Sequence, residues 1–312
     1  MHTLLQQVSL SSPLFILVFA GYGLMKLAHW SKSMADALTQ FVFAVALPAM
    51  LFRLMSDFTA LPPVDVRLLL AYFGGCLLVF LAGRLVAWRC FRLDGVAQSV
   101  FALGGVFSNN VMLGLPIARL TLGEEAVPAV ALVLVFNALT LWTLVTVSVE
   151  WARHGQLSAR GFYRTARGVL TNPLVVGIVL GALFGLTGLS LPKVLAVPLD
   201  MIAQAAAPLS LMVLGMGLAQ YGVGEGWRIS AAIATIKLLL QPLVVWGLAL
   251  LLGLPVLETQ VVVLLAAIAT GANVYLMARQ FGVLEGPVAS CLVWTTVLAA
   301  LTMPLMLTLT AS

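Results

Sequence analysis

The clearest scarcity in this sequence is that of charged residues, which make up only 9% of its 312 positions. Hydrophobic residues make up 62%, and the mean hydropathy is +1.10. Soluble domains have roughly 45–50% apolar and about 25% charged residues, so this composition excludes an ordinary soluble protein. Because a membrane-spanning helix needs about 20 mostly apolar residues, the length allows roughly ten spans with short loops.

Cysteine and histidine are also scarce, with three of each in the chain. The cysteines lie in or beside apolar segments and lack the spacing of metal ligands, which indicates small buried side chains at Cys76, Cys90 and Cys291. No P-loop, HExxH, GxSxG or dinucleotide-binding motif occurs. We therefore expect neither an enzyme nor a resident cofactor or metal. The net charge of +5 includes no dense basic run, so a nucleic-acid partner is not expected either.

Ten apolar segments predict ten transmembrane helices, which we number as spans in chain order. They cover residues 12–29, 35–55, 66–91, 95–122, 126–150, 169–189, 193–221, 228–253, 257–283 and 286–310. In hydrocarbon only helices and closed barrels satisfy the backbone, and these segments are too long and too continuously apolar for barrel strands. The first apolar run, residues 13–27, has no preceding Lys or Arg, so it is interpreted as a span and not as a signal peptide.

The distribution of Lys and Arg predicts how the chain is oriented. The side with loops 1–2, 3–4, 5–6, 7–8 and 9–10 carries most of the sixteen basic residues: Lys26, Lys32, Arg84, Arg89, Arg92, Arg153, Arg160, Arg164, Arg167, Arg228 and Arg279. The other side carries Arg53, Arg67, Arg119 and Lys193. The positive-inside rule then places both termini outside and loop 153–168 in the cytoplasm of a plasma (inner) membrane protein.

An internal repeat with a period of about 160 residues indicates two related halves. Ser12-Pro13-Leu14 recurs as Asn172-Pro173-Leu174, Pro48 as Pro208, Asn110 as Asn273, and residues 123–128 resemble residues 282–287. Five spans per half is an odd number, so the second half must be inserted upside down. We expect an all-α membrane protein of two inverted five-helix repeats, residues 1–152 and 169–312, joined by the basic loop 153–168.

Helix-breaking and polar residues interrupt spans 4 and 9 in the middle of the membrane. The candidate site residues there are Asn109, Asn110, Gly114, Pro116, Thr270, Gly271 and Asn273. Irregular backbone at this depth is tolerated only where it is packed in protein or lines a cavity. We therefore predict two half-helix N-termini that face one anionic group, with the Asn amides supplying hydrogen bonds. The alternative is two kinked helices whose Asn side chains join neighbouring helices.

Lys237 is the basic residue that falls inside a span. A cation there is costly and is a functional candidate by default. It could balance a bound carboxylate, or deprotonate during transport. Alternatively, it stabilises the negative carboxyl ends of the broken helices. Weaker candidates for the same site are Gln241, Asn137, Pro48, Pro208 and Tyr275. No Asp or Glu falls in the middle of a span, which favours an anion over a cation as cargo.

These residues resemble the auxin efflux carrier family, including its bacterial malonate- and malate-permease-like members. The run 108–116 is similar to the family's Asn followed by Gly-x-Pro in the fourth span, where Asn109 matches the family position and Asn110 is an additional amide. Further matches are Asn172-Pro173-Leu174, Ala207-Pro208-Leu209 with Gly215, Lys237 with Pro242, and residues 278–282. The short loop between spans 5 and 6 favours a compact bacterial permease over an auxin carrier.

The resemblance implies a fold like that of the bile-acid symporters, in which broken helices 4 and 9 cross. It also implies a scaffold of spans 1, 2, 6 and 7, a mobile transport domain of spans 3–5 and 8–10, and a homodimer in the lipid bilayer. The leading hypothesis is alternating-access transport of a small mono- or dicarboxylate such as malonate or malate. The alternatives are a sodium-coupled bile-acid-type symporter or a proton/cation antiporter on the same fold, with Na+ or H+ as coupling ion, and a non-transporting receptor or membrane enzyme.

Overall fold

A computed structural model describes residues 2–57, 64–154, 167, 171–221 and 226–310. Within these ranges every regular element is helical, apart from one isolated β-bridge between Ser108 and Thr270. Most of the predicted basic loop 153–168 lies outside the described residues, including Arg160 and Arg164.

The helices are named by the predicted span in which they lie, with the two parts of spans 4 and 9 labelled a and b. They are α1 His2–Lys26, α2 Lys32–Ser56, α3 Arg67–Phe91, α4a Gly95–Gly104, α4b Asn110–Leu122, α5 Val127–His154, α6 Pro173–Leu186, α7 Lys193–Leu218, α8 Trp227–Leu251, α9a Val256–Ala267, α9b Asn273–Phe281 and α10 Glu285–Thr310. Among the described residues, α2, α3, α7, α8 and α10 are long and apolar enough to cross a membrane. The chain is therefore an all-helical integral membrane protein.

Several helices begin at residues that the sequence marks as N-caps. The Ser31 hydroxyl accepts a hydrogen bond from the backbone N–H of Met34 at the start of α2. The Asp94 carboxylate accepts from two N–H groups of the first turn of α4a. Asn172 caps α6, where Pro173 occupies the first turn and so lacks a donor that would have had no partner there. By contrast, α1 begins at His2, ten residues before the predicted span.

Three turns of π-helix interrupt α2, α4b and α8, at Val42–Ala46, Asn110–Gly114 and Ile236–Leu240. Each ends two residues before a proline, which are Pro48, Pro116 and Pro242. Proline lacks an N–H and crowds the preceding turn, so a locally widened helix relieves the misfit. As described below, each of these turns also carries a side chain of the candidate site or its immediate support.

The closest helix packing joins α1 to α7 and α2 to α6. A Cβ on Gly215 would lie 1.8 Å from the Val18 carbonyl oxygen, and one on Gly21 would lie 1.9 Å from that of Met212. In the second pair, a Cβ on Gly181 would lie 2.5 Å from the Phe52 carbonyl oxygen. Only glycine permits backbones to approach this closely. The helix α7 also packs against α2, while α3 packs against α4a and α8, and α9a against α8 and α10.

Candidate functional site

The site is built on the two gaps between half-helices, which we call the breaks: residues 105–109 between α4a and α4b, and residues 268–272 between α9a and α9b. The chain leaves α4a at the pair Gly104-Gly105, and it leaves α9a through Ile268 in an extended conformation. Asn109 precedes α4b with φ −80° and ψ 59°, which is not helical. Apart from the half-buried Ala272, both segments are nevertheless buried, so their polar backbone groups must find partners within the protein.

Two main-chain hydrogen bonds join the two breaks to each other. The Asn109 N–H donates to the Ala269 carbonyl oxygen at 3.0 Å, and the Gly271 N–H donates to the Phe107 carbonyl oxygen at 2.8 Å. The two bonds are reciprocal, because 107 and 269 are as far apart in sequence as 109 and 271. A Cβ on Gly271 would come within 3.1 Å of the Ser108 carbonyl oxygen, which explains glycine at this close approach.

Thr270 joins the paired breaks to α4a and α10 through hydrogen bonds. Its hydroxyl donates to the Gly104 carbonyl oxygen at 3.0 Å, at the carboxyl end of α4a. Its N–H donates to the Thr295 hydroxyl of α10 at 3.2 Å. Thr270 is 1% exposed, and all of these partners are protein groups. The residue therefore positions the breaks.

Lys237 and Gln241, both from α8, bind the carboxyl ends of the two broken helices. The fully buried Lys237 ammonium donates to the Ala266 carbonyl oxygen at 2.5 Å, in the last turn of α9a. The Gln241 amide donates to the Val106 carbonyl oxygen at 2.9 Å, just beyond α4a. Helix carboxyl ends carry partial negative charge and carbonyls without partners. This contact agrees with the alternative in which Lys237 stabilises the carboxyl end of a broken helix.

A polar network lies behind the start of α4b. The Asn110 amide nitrogen donates to the Tyr72 hydroxyl at 2.9 Å and to the Asn137 side-chain oxygen at 3.2 Å. All three side chains are buried. Two further buried atoms, Asn109 Nδ2 and Asn110 Oδ1, have no hydrogen-bond partner among the described residues. A buried polar group without a partner costs about 1–3 kcal/mol, so both atoms are suited to binding a ligand.

A cavity of about 70 Å³ lies beside these atoms. The breaks and the first turn of α4b contribute Phe107, Ser108, Asn109, Asn110, Val111, Met112, Gly271, Ala272 and Asn273. The remaining lining comes from α2, α5 and the start of α6, and comprises Phe43, Leu134, Asn137, Asn172, Leu174, Val175 and Ile178. The chain contains five asparagines, and all five line this cavity.

Helix N-termini add to these amides. The half-helices α4b and α9b begin at Asn110 and Asn273, which both line the cavity. A helix N-terminus carries roughly half a positive charge. In α9b the N–H groups of Val274 and Tyr275 already donate to the carbonyl oxygens of Gly271 and Ala272, so this half-helix contributes through its dipole. Neutral amides and two such N-termini together are chemically suited to an anionic group.

The predicted site residues divide into two sets. Asn109, Asn110, Asn137, Gly271 and Asn273 line the cavity. The others lie outside its lining. Gly114 and Pro116 are buried in α4b, Lys237, Gln241 and Thr270 hold helix ends, Pro48 and Pro208 lie in the closely packed α2 and α7, and Tyr275 stacks on Tyr221 with ring centroids 4.7 Å apart.

Sequence reasoning missed several lining residues. Asn172 was singled out only as a repeat match, although an Asn before a Pro that opens a span was a usable signal. Phe43, Leu134, Leu174, Val175 and Ile178 are apolar residues in apolar helices, so no local pattern distinguishes them from lipid-facing or core positions.

Proteins with similar sequences belong to a family of membrane transport proteins. The model of the family described as "Membrane transport protein" matches residues 10–161 and 162–307. A protein of Rhizobium meliloti (strain 1021) named "Putative malonate transporter" is 30% identical over 298 residues, which cover 93% of this chain and 91% of that relative. The sequence resemblance is thereby confirmed, and this is a family of transporters and not of enzymes. The chain belongs to the membrane transport protein family, that of the auxin efflux carriers.

Proposed function

We propose that this protein transports a small mono- or dicarboxylate, such as malonate or malate, by alternating access. The observation that carries the proposal is the cavity between the paired breaks, where the Asn109 amide nitrogen has no partner and two helix N-termini meet. The printed name of the Rhizobium relative supports malonate as the first substrate to test.

The proposed architecture is ten transmembrane helices in two inverted five-helix repeats. Exchange of the halves turns α1 into α6 and α2 into α7, so it turns the close α1–α7 contact into the close α6–α2 contact. The same exchange interconverts the two reciprocal hydrogen bonds between the breaks. These correspondences support a local two-fold relation, which is the design of many secondary transporters.

In the proposed mechanism the carboxylate accepts hydrogen bonds from the amides of Asn109 and Asn273, and it lies at the start of α4b, where the Asn110 amide nitrogen is held by Tyr72 and Asn137. Hydrogen bonds to a charged group contribute about 1.5–3 kcal/mol each. The breaks belong to the proposed transport domain of α3–α5 and α8–α10, whereas Phe43 and Val175 belong to the proposed scaffold of α1, α2, α6 and α7. Because the cavity is lined from both groups, movement of one past the other would change the side on which it opens.

Uptake into proteoliposomes tests this function. We expect uptake of radiolabelled malonate or malate by the wild-type protein, and a loss of about 10–100-fold in uptake at low substrate for Asn109→Ala, since one hydrogen bond to a charged group is removed. Gln40→Ala removes an amide from an exposed position on α2 and is the matched control. Absence of uptake of any small carboxylate, or wild-type uptake by Asn109→Ala, refutes the proposal.

We propose further that transport does not require sodium. The carboxyl ends where a coupling cation would be attracted are already bound, α9a by Lys237 and the region after α4a by Gln241. The driving force is then the membrane potential or a proton gradient. Uptake should be unchanged when choline replaces sodium on both sides at constant pH and potential. A strict sodium requirement would instead favour the sodium-coupled symporter.

A homodimer with both termini outside completes the proposal. It is supported by the family resemblance and by the excess of basic residues on one side of the predicted spans. The mass of the detergent-solubilised protein, corrected for bound detergent, tests the dimer, and the expected mass is twice that of the 33.1 kDa chain. A monomeric mass across detergents rejects it.

A further inference from the structure

We propose that the cavity accepts its carboxylate substrate as a monoanion, so that a dicarboxylate such as malonate binds with one carboxyl group ionised and the other protonated. This inference rests on the proposed function and specifies the charge state of the cargo. It is carried by the chemistry of the lining residues.

The lining of the cavity contains no charged side chain among the residues that the structure describes. Its polar side chains are the five asparagines and Ser108, all of them neutral. Transfer of an ion from water into a protein interior costs several kcal/mol unless a countercharge or several hydrogen bonds compensate. The number of negative charges that the site can hold is therefore limited by its helix N-termini and amides.

Two half-helix N-termini match one negative charge. Each is equivalent to roughly half an elementary charge, so α4b and α9b together balance about one carboxylate. The unpartnered Asn109 amide nitrogen can donate to that carboxylate. The start of α6 also lies at the cavity, but Pro173 has no N–H and the Leu174 N–H already donates to the Asn172 side chain. Among the described residues, this N-terminus therefore offers a second carboxylate less than α4b and α9b offer the first.

The rest of the lining suits a protonated carboxyl group. Phe43, Leu174, Val175 and Ile178 present apolar surface from α2 and α6. The amide of Asn172 is the polar group here, and its oxygen already accepts from the Leu174 N–H. A neutral carboxyl can both donate to and accept from protein amides, and it avoids the cost of a second buried ion.

The buried cation Lys237 binds a helix end and does not line the cavity. Lys237 is fully buried and donates to the Ala266 carbonyl oxygen, and it is not a lining residue of the cavity. Other titratable side chains behind the lining, among the described residues, are Tyr72 of α3, which contacts Asn110, Cys76 of α3, which contacts Val106 and Gln241, and Cys291 of α10, which contacts Thr270. None of these supplies a positive charge to the apolar part of the cavity.

Binding of two ligands to the purified full-length protein at a series of pH values tests the proposal. Malonate changes charge as pH rises through its second ionisation, whereas monomethyl malonate remains a monoanion. Above that ionisation the monoanion fraction of malonate falls about tenfold per pH unit, so its apparent affinity should weaken by the same factor. The affinity for monomethyl malonate should stay constant, which controls for titration of the protein itself.

The outcomes separate this inference from the proposed function. If both ligands bind and malonate binds equally well or better at high pH, the monoanion proposal is wrong while carboxylate transport survives. If neither malonate, malate nor the monoester binds or is taken up, both proposals are wrong. A dianion preference that is lost when Arg160 and Arg164 are replaced by Gln would also overturn it, since the missing countercharge would then come from residues before α6.

A charge introduced at Val175 provides the reverse test. Val175 is a half-buried lining residue on α6, from which a Lys side chain can reach the second carboxyl group. Val175→Lys should bind the malonate dianion and flatten the pH dependence, whereas Val176→Lys, with the same charge at the exposed neighbouring position outside the lining, should keep the wild-type profile. An unchanged profile in a folded Val175→Lys protein that still binds monomethyl malonate counts against the proposal.

Discussion

The role of Lys237 depends on a contact in the folded protein that its sequence position does not predict. Its position inside a span indicated either a countercharge for the substrate or a support for helix ends. The choice depends on which group lies within reach of the ammonium, and that group is the Ala266 carbonyl, 29 positions further along the chain. Asn109 and Asn110 were predictable because adjacent amides in an apolar span are costly without partners.

Replacement of Lys237 separates charge from hydrogen bonding. Lys237→Gln should fold with a Tm equal to or above that of the wild type, because a neutral amide can still donate to Ala266 without burial of an ion. The lost interaction between charge and helix end, up to about 2 kcal/mol, is offset in the Tm because no ion is then buried, but it leaves the carboxyl end of α9a less firmly held beside the break, so uptake should fall about tenfold. Lys193→Gln, at an exposed position, should change neither quantity. Wild-type uptake by Lys237→Gln would show that the charge has no part in transport.

Tyr72→Phe tests the network behind the site. It removes the hydroxyl that accepts from the Asn110 amide at 2.9 Å and should lower the free energy of unfolding by about 1 kcal/mol. The measurement is the Tm of the detergent-solubilised protein, with Tyr22→Phe, at a side chain that is 38% exposed, as control. Equal stability of the two variants would mean that the hydrogen bond contributes nothing.

At the scale of helices, the breaks were predictable and the π-helical turns were not. Gly104, Gly105 and Gly271 marked the breaks by composition. The π turns depend on how a helix rearranges before a proline, and Pro208 lies inside α7 without such a turn. The apolar part of α1, Ser11–Lys26, begins within one residue of the predicted span, and the helix extends further towards the N-terminus because Gln6 and Gln7 are polar but compatible with a helix.

The α1–α7 contact yields a prediction with an internal control. Gly215→Ala places a Cβ 1.8 Å from the Val18 carbonyl oxygen, so the helices must separate, at a cost of about 3 kcal/mol. Gly217 lies on the same helix with nothing within 4 Å of its Cβ position, and Gly217→Ala should be neutral or slightly stabilising. Thermal unfolding monitored by fluorescence compares the two. Equal Tm values would disprove the close approach.

At the scale of the molecule, the family and the membrane location followed from composition and ordered short motifs, and both are confirmed by the comparisons. The lining of the cavity could not be predicted from the sequence, because it depends on how α2 and α6 pack against the breaks. Phe43 lies more than sixty residues before Asn109, and no local pattern links them.

The native cysteines test the proposed orientation. Cys90 is exposed near the end of α3, whereas Cys76 and Cys291 are buried. If the basic side is cytoplasmic, a membrane-impermeant maleimide should label Cys90 in inside-out vesicles and not in right-side-out vesicles. Cys90→Ala should abolish labelling of the folded protein. Labelling from the outer side would reverse the assigned topology.

The hydrogen bonds between Asn109 and Ala269 and between Gly271 and Phe107 involve only main-chain atoms. Their geometry does not depend on which side chains surround them, provided that position 271 remains small. The crossing of the two breaks can therefore stay constant while the α2 and α6 lining of the cavity changes. If the proposed function holds, we expect substitution of Phe43, Leu174 or Val175 to change which carboxylates bind, without rebuilding the crossing point of the two half-helix pairs.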